Sequence, residues 1–154
     1  MAAIKILVPY NYNAYEEKAL DFVINAFSSQ RDAKVTLFNA YTPLPEVDMD
    51  ASPELSKMRD GMVSLSEELR EKEEGLKSAM QHMIDNGFSQ DQIDYIFKEK
   101  QESIAEEIMQ TALKGHYRVL VLSRQPAKVT RLFGRGVHSK ILSALKDVVV
   151  CVAT

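Results

Sequence analysis

Residues 4–10 read IKILVPY, a continuous apolar and β-branched run that ends at Pro9. A strand with one solvated face would alternate apolar and polar side chains, and this run does not. The pattern predicts a central parallel strand that is covered on both faces.

Four more runs of the same kind follow along the chain and predict four more strands. Helical patterns of apolar residues separate them. The predicted strands are residues 34–41, 93–99, 118–123 and 148–153, and the predicted helices fall within residues 14–27, 53–85, 102–116 and 137–147.

Each predicted helix has start or stop signals and an apolar stripe. Asn13 and Glu16 form a capping box, Ser52 and Pro53 begin the long second helix, and Gly115 ends the third. Asn86 and Gly87 close the second helix. The stripes are Ala19, Leu20, Val23 and Phe27; Leu55, Met58, Met62, Leu65, Leu69, Leu76, Met80 and Met83; Ile104, Ile108 and Ala112; and Ile141, Leu142 and Leu145. At this spacing the methionines indicate core or partner-helix packing.

Strictly alternating strands and helices indicate an α/β fold, a single-domain, doubly wound, five-stranded parallel sheet of the Rossmann-like type. In such folds ligands bind beyond the carboxyl ends of the strands, at the switch point. Here this is the crevice between the first and fourth strands. Residues 9–15 and the loop after residue 123 face it.

Composition describes a soluble globular protein with a net charge of -3, which gives no general reason to expect nucleic-acid binding. The C-terminal third is nevertheless basic, because no acid lies between Glu107 and Asp147. No signal peptide or membrane span is expected, so we expect a cytoplasmic protein. The lone Cys151 fits a reducing compartment and is expected to be a small buried apolar side chain.

A catalytic constellation is not evident, and we do not expect an enzyme. His82, His116 and His138 have no second histidine or cysteine at a metal-binding spacing, so no zinc site is predicted. The acids of residues 66–75 alternate with cations and indicate a solvated helix face. Neither a Walker loop nor a GxGxxG motif occurs.

The two ends of the chain resemble the universal stress protein family, and the resemblance covers the whole length. KILVPYNYNAYEEKALDFV (residues 5–23) resembles the family's opening strand, loop and helix, and residues 117–154 resemble its closing segment. The resemblance implies an adenine nucleotide alpha hydrolase-like sheet of strand order 3-2-1-4-5. It also implies one domain over residues 1–154, with an unusually long helical insertion at about 52–87.

In nucleotide-binding members the closing loop follows the pattern G-x2-G-x9-G-(S/T). Laid on this sequence, the pattern falls on Ser123, Pro126, Gly136 and Val137, so one position of four agrees. Side chains at the first two positions oppose close backbone approach to phosphate, and Pro126 has no amide donor. The family's aspartate after the first strand falls on Asn11. Both halves of the nucleotide site are therefore altered.

An anion remains a candidate ligand, because Gly134 and Gly136 precede a predicted helix and Arg131, Arg135 and Lys140 lie around them. A loop that only connects the strand to the helix is the alternative. The candidate nucleotide or anion pocket comprises Asn11, Tyr12, Ser123, Arg124, Arg135, Gly136, Val137 and His138.

Three functions follow as hypotheses. The first is a non-catalytic stress-response and interaction module without ATP, with a protein partner that the sequence does not identify. The resemblance implies a homodimer formed through the last strand.

The second hypothesis is a regulatory switch that binds ATP or AMP in a modified pocket; a weak ATPase would lack an acid to hold magnesium. The third, a nucleic-acid binder, is not favoured, because Tyr117 and Phe133 are the only aromatics of the basic third. The homodimer of the first hypothesis would form through Val148, Val149, Val150, Cys151 and Val152.

Overall fold

A computed structural model describes residues 3–10, 14–43, 53–123, 145 and 147–153. These residues form five strands and three helices, with a 3-10 turn at Gln90–Gln92. In chain order they are β1 (Ile4–Pro9), α1 (Ala14–Phe27), β2 (Ala33–Tyr41), α2 (Pro53–Asp85), β3 (Ile93–Glu99), α3 (Ile104–Lys114), β4 (Val119–Ser123) and β5 (Val149–Ala153).

The strands form one parallel sheet of order β3-β2-β1-β4-β5, so the predicted fold class and strand order are confirmed. β1 pairs with β2 along its whole length, from Ile4–Ala33 to Pro9–Phe38. With β4 it pairs through Ile6–Val119 and Leu7–Leu120. β1 is thus the central strand that its sequence predicts.

The face of the sheet under α1 and α2 carries the larger apolar core. Ile6, Val8, Val35 and Leu37 contribute from the strands. The α1 stripe is buried at Ala19, Leu20 and Val23, while Phe27 is half-buried; α2 adds Leu76, Ala79 and Met83. Burial of this apolar surface supplies the main driving force for docking both helices on the sheet.

The opposite face is covered by α3. Leu7, Phe38, Leu120 and Leu122 of the sheet pack there with Ile108, Ala112, Tyr117 and Leu145. The helix predicted over residues 137–147 lies outside the described residues apart from its end, where Leu145 is buried. Because both faces of the central strands are buried, their sequences show no alternation.

Two stripe positions differ from the prediction. Ile104 was expected to face inward but is 37% exposed, because it is the first residue of α3. Leu65 is also exposed, whereas Leu76 and Met83 of the same α2 stripe are buried. The stripe is thus covered where α2 crosses the sheet and uncovered at Leu65. The structure does not describe the side chains of the remaining stripe and capping positions, which are Leu55, Met58, Met62, Asn13, Glu16 and Ser52.

The predicted end of α2 is confirmed. Gly87 has a φ of 123°, a conformation that glycine adopts without strain, and the Phe88 amide donates to the Met83 carbonyl at 3.2 Å. The chain then turns through Gln90–Gln92 into β3. Gln92 Nε2 donates to the carbonyls of Gln30 and Ala33, each at 2.9 Å, which ties this turn to the start of β2.

Candidate functional site

The carboxyl end of β1 is held in place by β2. The Tyr10 amide donates to the Phe38 carbonyl at 2.8 Å, and the buried Asn39 donates from Nδ2 to the Tyr10 carbonyl at 2.9 Å. A buried hydrogen bond of this kind fixes the direction of the chain as it leaves the strand. Tyr10 is therefore placed at the switch-point edge by two contacts from one neighbouring strand.

Ser123 marks the other side of the predicted crevice. It is the last residue of β4, is half-buried and lies in register with Ala153 of β5. Since β1 and β4 are parallel and paired, Tyr10 and Ser123 end at the same edge of the sheet. The remaining predicted pocket residues lie outside the described ranges: Asn11, Tyr12, Arg124, Arg135, Gly136, Val137 and His138.

A cleft between α1 and α2, which the sequence reasoning did not predict, opens beside Tyr10. We call it the α1–α2 cleft; its volume is about 460 Å³. Leu20 and Ala79 form a buried apolar floor, and polar side chains stand exposed above them. The lining residues are Tyr10, Glu17, Leu20, Asp21, Gly75, Ser78, Ala79 and His82. One signal in the sequence was available, the two acids four residues apart on α1.

A smaller groove of about 270 Å³ lies between the end of β2 and the exposed part of α2. Tyr41 and Pro43 form one wall, and Leu65 and Leu69 form the other. The Tyr41 ring contacts Phe97 of β3 at a centroid separation of 4.6 Å, with the two ring planes tilted by 40°. This groove is largely apolar, with Glu68 and Lys72 as the charged residues of its lining.

The turn between β3 and α3 is held by a buried carboxylate. Glu107 Oε1 accepts hydrogen bonds from the amides of Gln101 and Glu102, at 2.9 and 3.0 Å, and its Oε2 lies 2.7 Å from Lys98 Nζ. The Lys98 ammonium and these two amides lower the pKa of Glu107 to about 2. The carboxylate is thus fully committed to shaping the turn and is not available as an acid or base near neutral pH.

A second carboxylate, Glu73 of α2, also makes a structural hydrogen bond. Glu73 accepts a hydrogen bond from the Tyr95 hydroxyl at 2.8 Å, and this bond raises the pKa of Tyr95. Among the residues that the structure describes, no group of three His, Cys, Asp or Glu side chains could hold a metal ion. Cys151 is half-buried against the α1 side of the sheet, more exposed than predicted.

β5 forms one edge of the sheet. Within the described ranges it pairs only with β4, and Val149 is 62% exposed. Val148 and Val150 pack partly on the α3 face, and Cys151 packs on the α1 face. Val152 is also exposed. All five residues of the predicted interface therefore lie at this edge. None of the described helices is both long and apolar enough to cross a membrane.

No protein-family profile and no curated protein matches the sequence. Solved structures do match it over nearly the full length. A universal stress protein from Archaeoglobus fulgidus is 16% identical, with a TM-score of 0.69, covering 100% of this chain and 96% of the other.

Two further matches contain nucleotides. A universal stress protein from Archaeoglobus fulgidus in complex with dAMP is 12% identical (TM-score 0.65, with 100% of both chains covered). A universal stress protein family member from Arabidopsis thaliana with AMP bound is 16% identical (TM-score 0.59, covering 98% and 92% of the two chains). The sheet order, the helices and this full-length superposition agree: the chain has the fold of the universal stress proteins.

Proposed function

We propose that this protein is a cytoplasmic, non-catalytic interaction module of the universal stress protein type, which works as a homodimer and does not retain ATP in the manner of nucleotide-binding members. The observation that carries the proposal is the apolar, exposed edge of β5. The fold shared with universal stress proteins supports it.

An edge strand presents a row of backbone donors and acceptors that another strand can pair with. Many proteins protect such edges with lysine or proline, but Val149–Ala153 contains neither. Pairing of two β5 strands about a two-fold axis would satisfy these groups and bury Val149 and Val152. A continuous sheet across the dimer follows from this arrangement.

The altered nucleotide motif supports the second part of the proposal. Ser123 ends β4 where the family pattern has its first glycine, and its side chain occupies space that close backbone approach would need. Glu107, whose pKa is lowered to about 2, holds the turn between β3 and α3 and is not free for catalysis. A protein that acts through its surfaces fits both observations.

The dimer is tested by Val149→Lys, which places a charge at the edge. Leu113→Lys is the matched control, because Leu113 is a similarly exposed apolar residue (56%) on α3. We expect sedimentation velocity at micromolar concentration to give a dimer for the original protein and for Leu113→Lys, and a monomer for Val149→Lys. A monomer in all three cases would refute pairing through β5.

A nucleotide-binding switch is the second candidate, and the AMP and dAMP complexes of proteins with the same fold favour it. Purification without added nucleotide, denaturation and ion-exchange chromatography of the supernatant would reveal a co-purifying adenine nucleotide. About one nucleotide per chain would replace the first proposal with the switch. In that case Gly136→Asp should abolish binding, since it would put a negative charge against phosphate at the one glycine that fits the family pattern.

A further inference from the structure

We propose that the α1–α2 cleft binds an aliphatic diamine or polyamine. The described lining of this site lies between two helices on one face of the sheet and includes none of the residues predicted for the nucleotide pocket; it reaches the switch-point edge at Tyr10. The inference is therefore independent of the proposed function. It rests on the cleft's volume, its apolar floor and the charges of its walls.

The size and lining of the cleft suit a small organic molecule. Its volume of about 460 Å³ falls within the range of small-molecule sites, which combine an apolar surface with a few polar groups. Leu20 and Ala79, both buried, offer an apolar floor to a methylene chain. On α2, Gly75 has no side chain and Ser78 has a small one, which leaves room between the two helices.

The charges of the lining select a cation. Glu17 and Asp21 face the cleft from successive turns of α1, and neither Lys nor Arg is among the described residues of its lining. Within the described part of the chain, no side-chain hydrogen bond or ion pair engages either carboxylate. Two like charges four residues apart on a helix repel each other. A bound dication would remove this repulsion and supply both missing partners.

The spacing of the two carboxylates favours a diamine over a single ion. Residues four apart on a helix are separated by about 6 Å along its axis. An extended four-carbon diamine places its two ammonium groups at a similar separation, with the methylenes between them over Leu20 and Ala79. A divalent metal is a poorer fit, since it needs six or more oxygen ligands converging on one point.

The α2 wall of the cleft adds two polar side chains, His82 and Ser78. His82 lies across the cleft, with its Nδ1 3.4 Å from Asn86 Nδ2, and Asn86 Nδ2 also donates to the His82 carbonyl at 2.7 Å. Ser78 supplies a hydroxyl that can accept from an ammonium.

Isothermal titration calorimetry with 1,4-diaminobutane tests the site in the full-length protein. The double variant Glu17→Gln/Asp21→Asn should weaken binding by about tenfold, since two partly exposed ion pairs are lost. The matched control is Glu67→Gln/Glu71→Gln, which removes a second exposed pair of acids at the same spacing on α2, outside the cleft. This control should leave affinity within about twofold of the original.

A second variant tests the cleft without changing its charge. Ser78→Phe, at an exposed position of the lining, should fill the space above the floor and weaken diamine binding at least as much. Circular dichroism would verify that each variant is folded. The proposal is overturned if no saturable binding occurs at millimolar diamine, if both acid pairs contribute equally, or if butylamine or Mg²⁺ binds as tightly as the diamine.

Discussion

The Tyr117 hydroxyl donates a hydrogen bond of 2.9 Å to Thr36 Oγ1 inside the protein, joining the approach to β4 to the middle of β2. Both residues are buried. The bond crosses beneath α3, on the face of the sheet that packs Phe38 and Leu120. It is one of the few polar contacts within that core.

Tyr117→Phe should lower the free energy of unfolding by about 1–2 kcal/mol, because the Thr36 hydroxyl loses this buried partner. Thr36→Val should have a similar cost. The double variant should be less destabilised than the sum of the two, since it removes both ends of one bond. Urea denaturation measures all three; strict additivity would show that the bond contributes nothing to stability.

Glu107 predicts a specific dependence of stability on pH. Its pKa falls from 4.5 to about 2 on folding, so its contribution is fully present above pH 4.5 and is lost as the pH falls toward 2. Because Lys98 is partly exposed, we expect this contribution to be about 2–3 kcal/mol. Glu107→Gln should be less stable at pH 7 and should lose less stability on acidification.

Urea midpoints measured between pH 7 and pH 2.5 check this expectation. Glu71→Gln serves as the control, since Glu71 is an exposed acid of α2 that takes no part in the turn. It should keep the original slope of stability against pH. If Glu107→Gln also kept that slope, the carboxylate would not be the group that titrates.

His116 occupies a conformation that favours glycine, with a φ of 55°. His116→Gly should therefore stabilise the protein by about 0.5–1 kcal/mol, the relief of strain exceeding the extra chain entropy of glycine in the unfolded state. His116→Ala keeps the side-chain clash and should change stability little. Differential scanning calorimetry should show a higher Tm for glycine alone; an equal gain with alanine would point to the loss of imidazole instead.

Gly115 is required for another reason, the closeness of Tyr117. A Cβ atom at Gly115 would lie 2.4 Å from Tyr117 Cε2 and 3.0 Å from the Thr111 carbonyl oxygen. The ring cannot retreat, since its hydroxyl is bonded to Thr36. Gly115→Ala should cost about 2–3 kcal/mol, whereas Lys114→Ala next to it should stay within about 0.5 kcal/mol. Chemical denaturation measures both losses of unfolding free energy. Equal losses for Gly115→Ala and Lys114→Ala would show that the Tyr117 ring can move away from an added Cβ atom.

Strands were predictable from the sequence to within one residue at each end, because β-branched runs are bounded by polar or turn-forming residues. The residues 93–99 coincide with β3, and Gly87 marks the end of α2. Periodicity also identified most buried positions of α1. These features depend on neighbours in the sequence, which is why a single chain suffices to find them.

Contacts between distant segments were not predictable in this way. Periodicity assigns Thr36 or Gln92 to an element but does not say which residue meets it. Glu107 appeared as one more acid of a helix, and its role follows only from the fold of residues 101–102 around it. The α1–α2 cleft likewise arises from the packing of two helices, which brings His82 of α2 and Glu17 of α1 into one lining. Of the predicted pocket, Ser123 is the residue that the structure places.

The length of α2 has a consequence for how the molecule opens locally. Thirty-three residues of helix extend about 50 Å, roughly twice the length of the strands it crosses. Among the described side chains of α2, residues 64–85, burial is concentrated near the carboxyl end, at Leu76, Ala79 and Met83, while residues 64–68 are exposed. Amide protons near residue 65 and near Met83 of this one helix would therefore exchange with solvent by different routes. Those near Met83 should exchange only on global unfolding, whereas those around residue 65 need only a local opening of the helix.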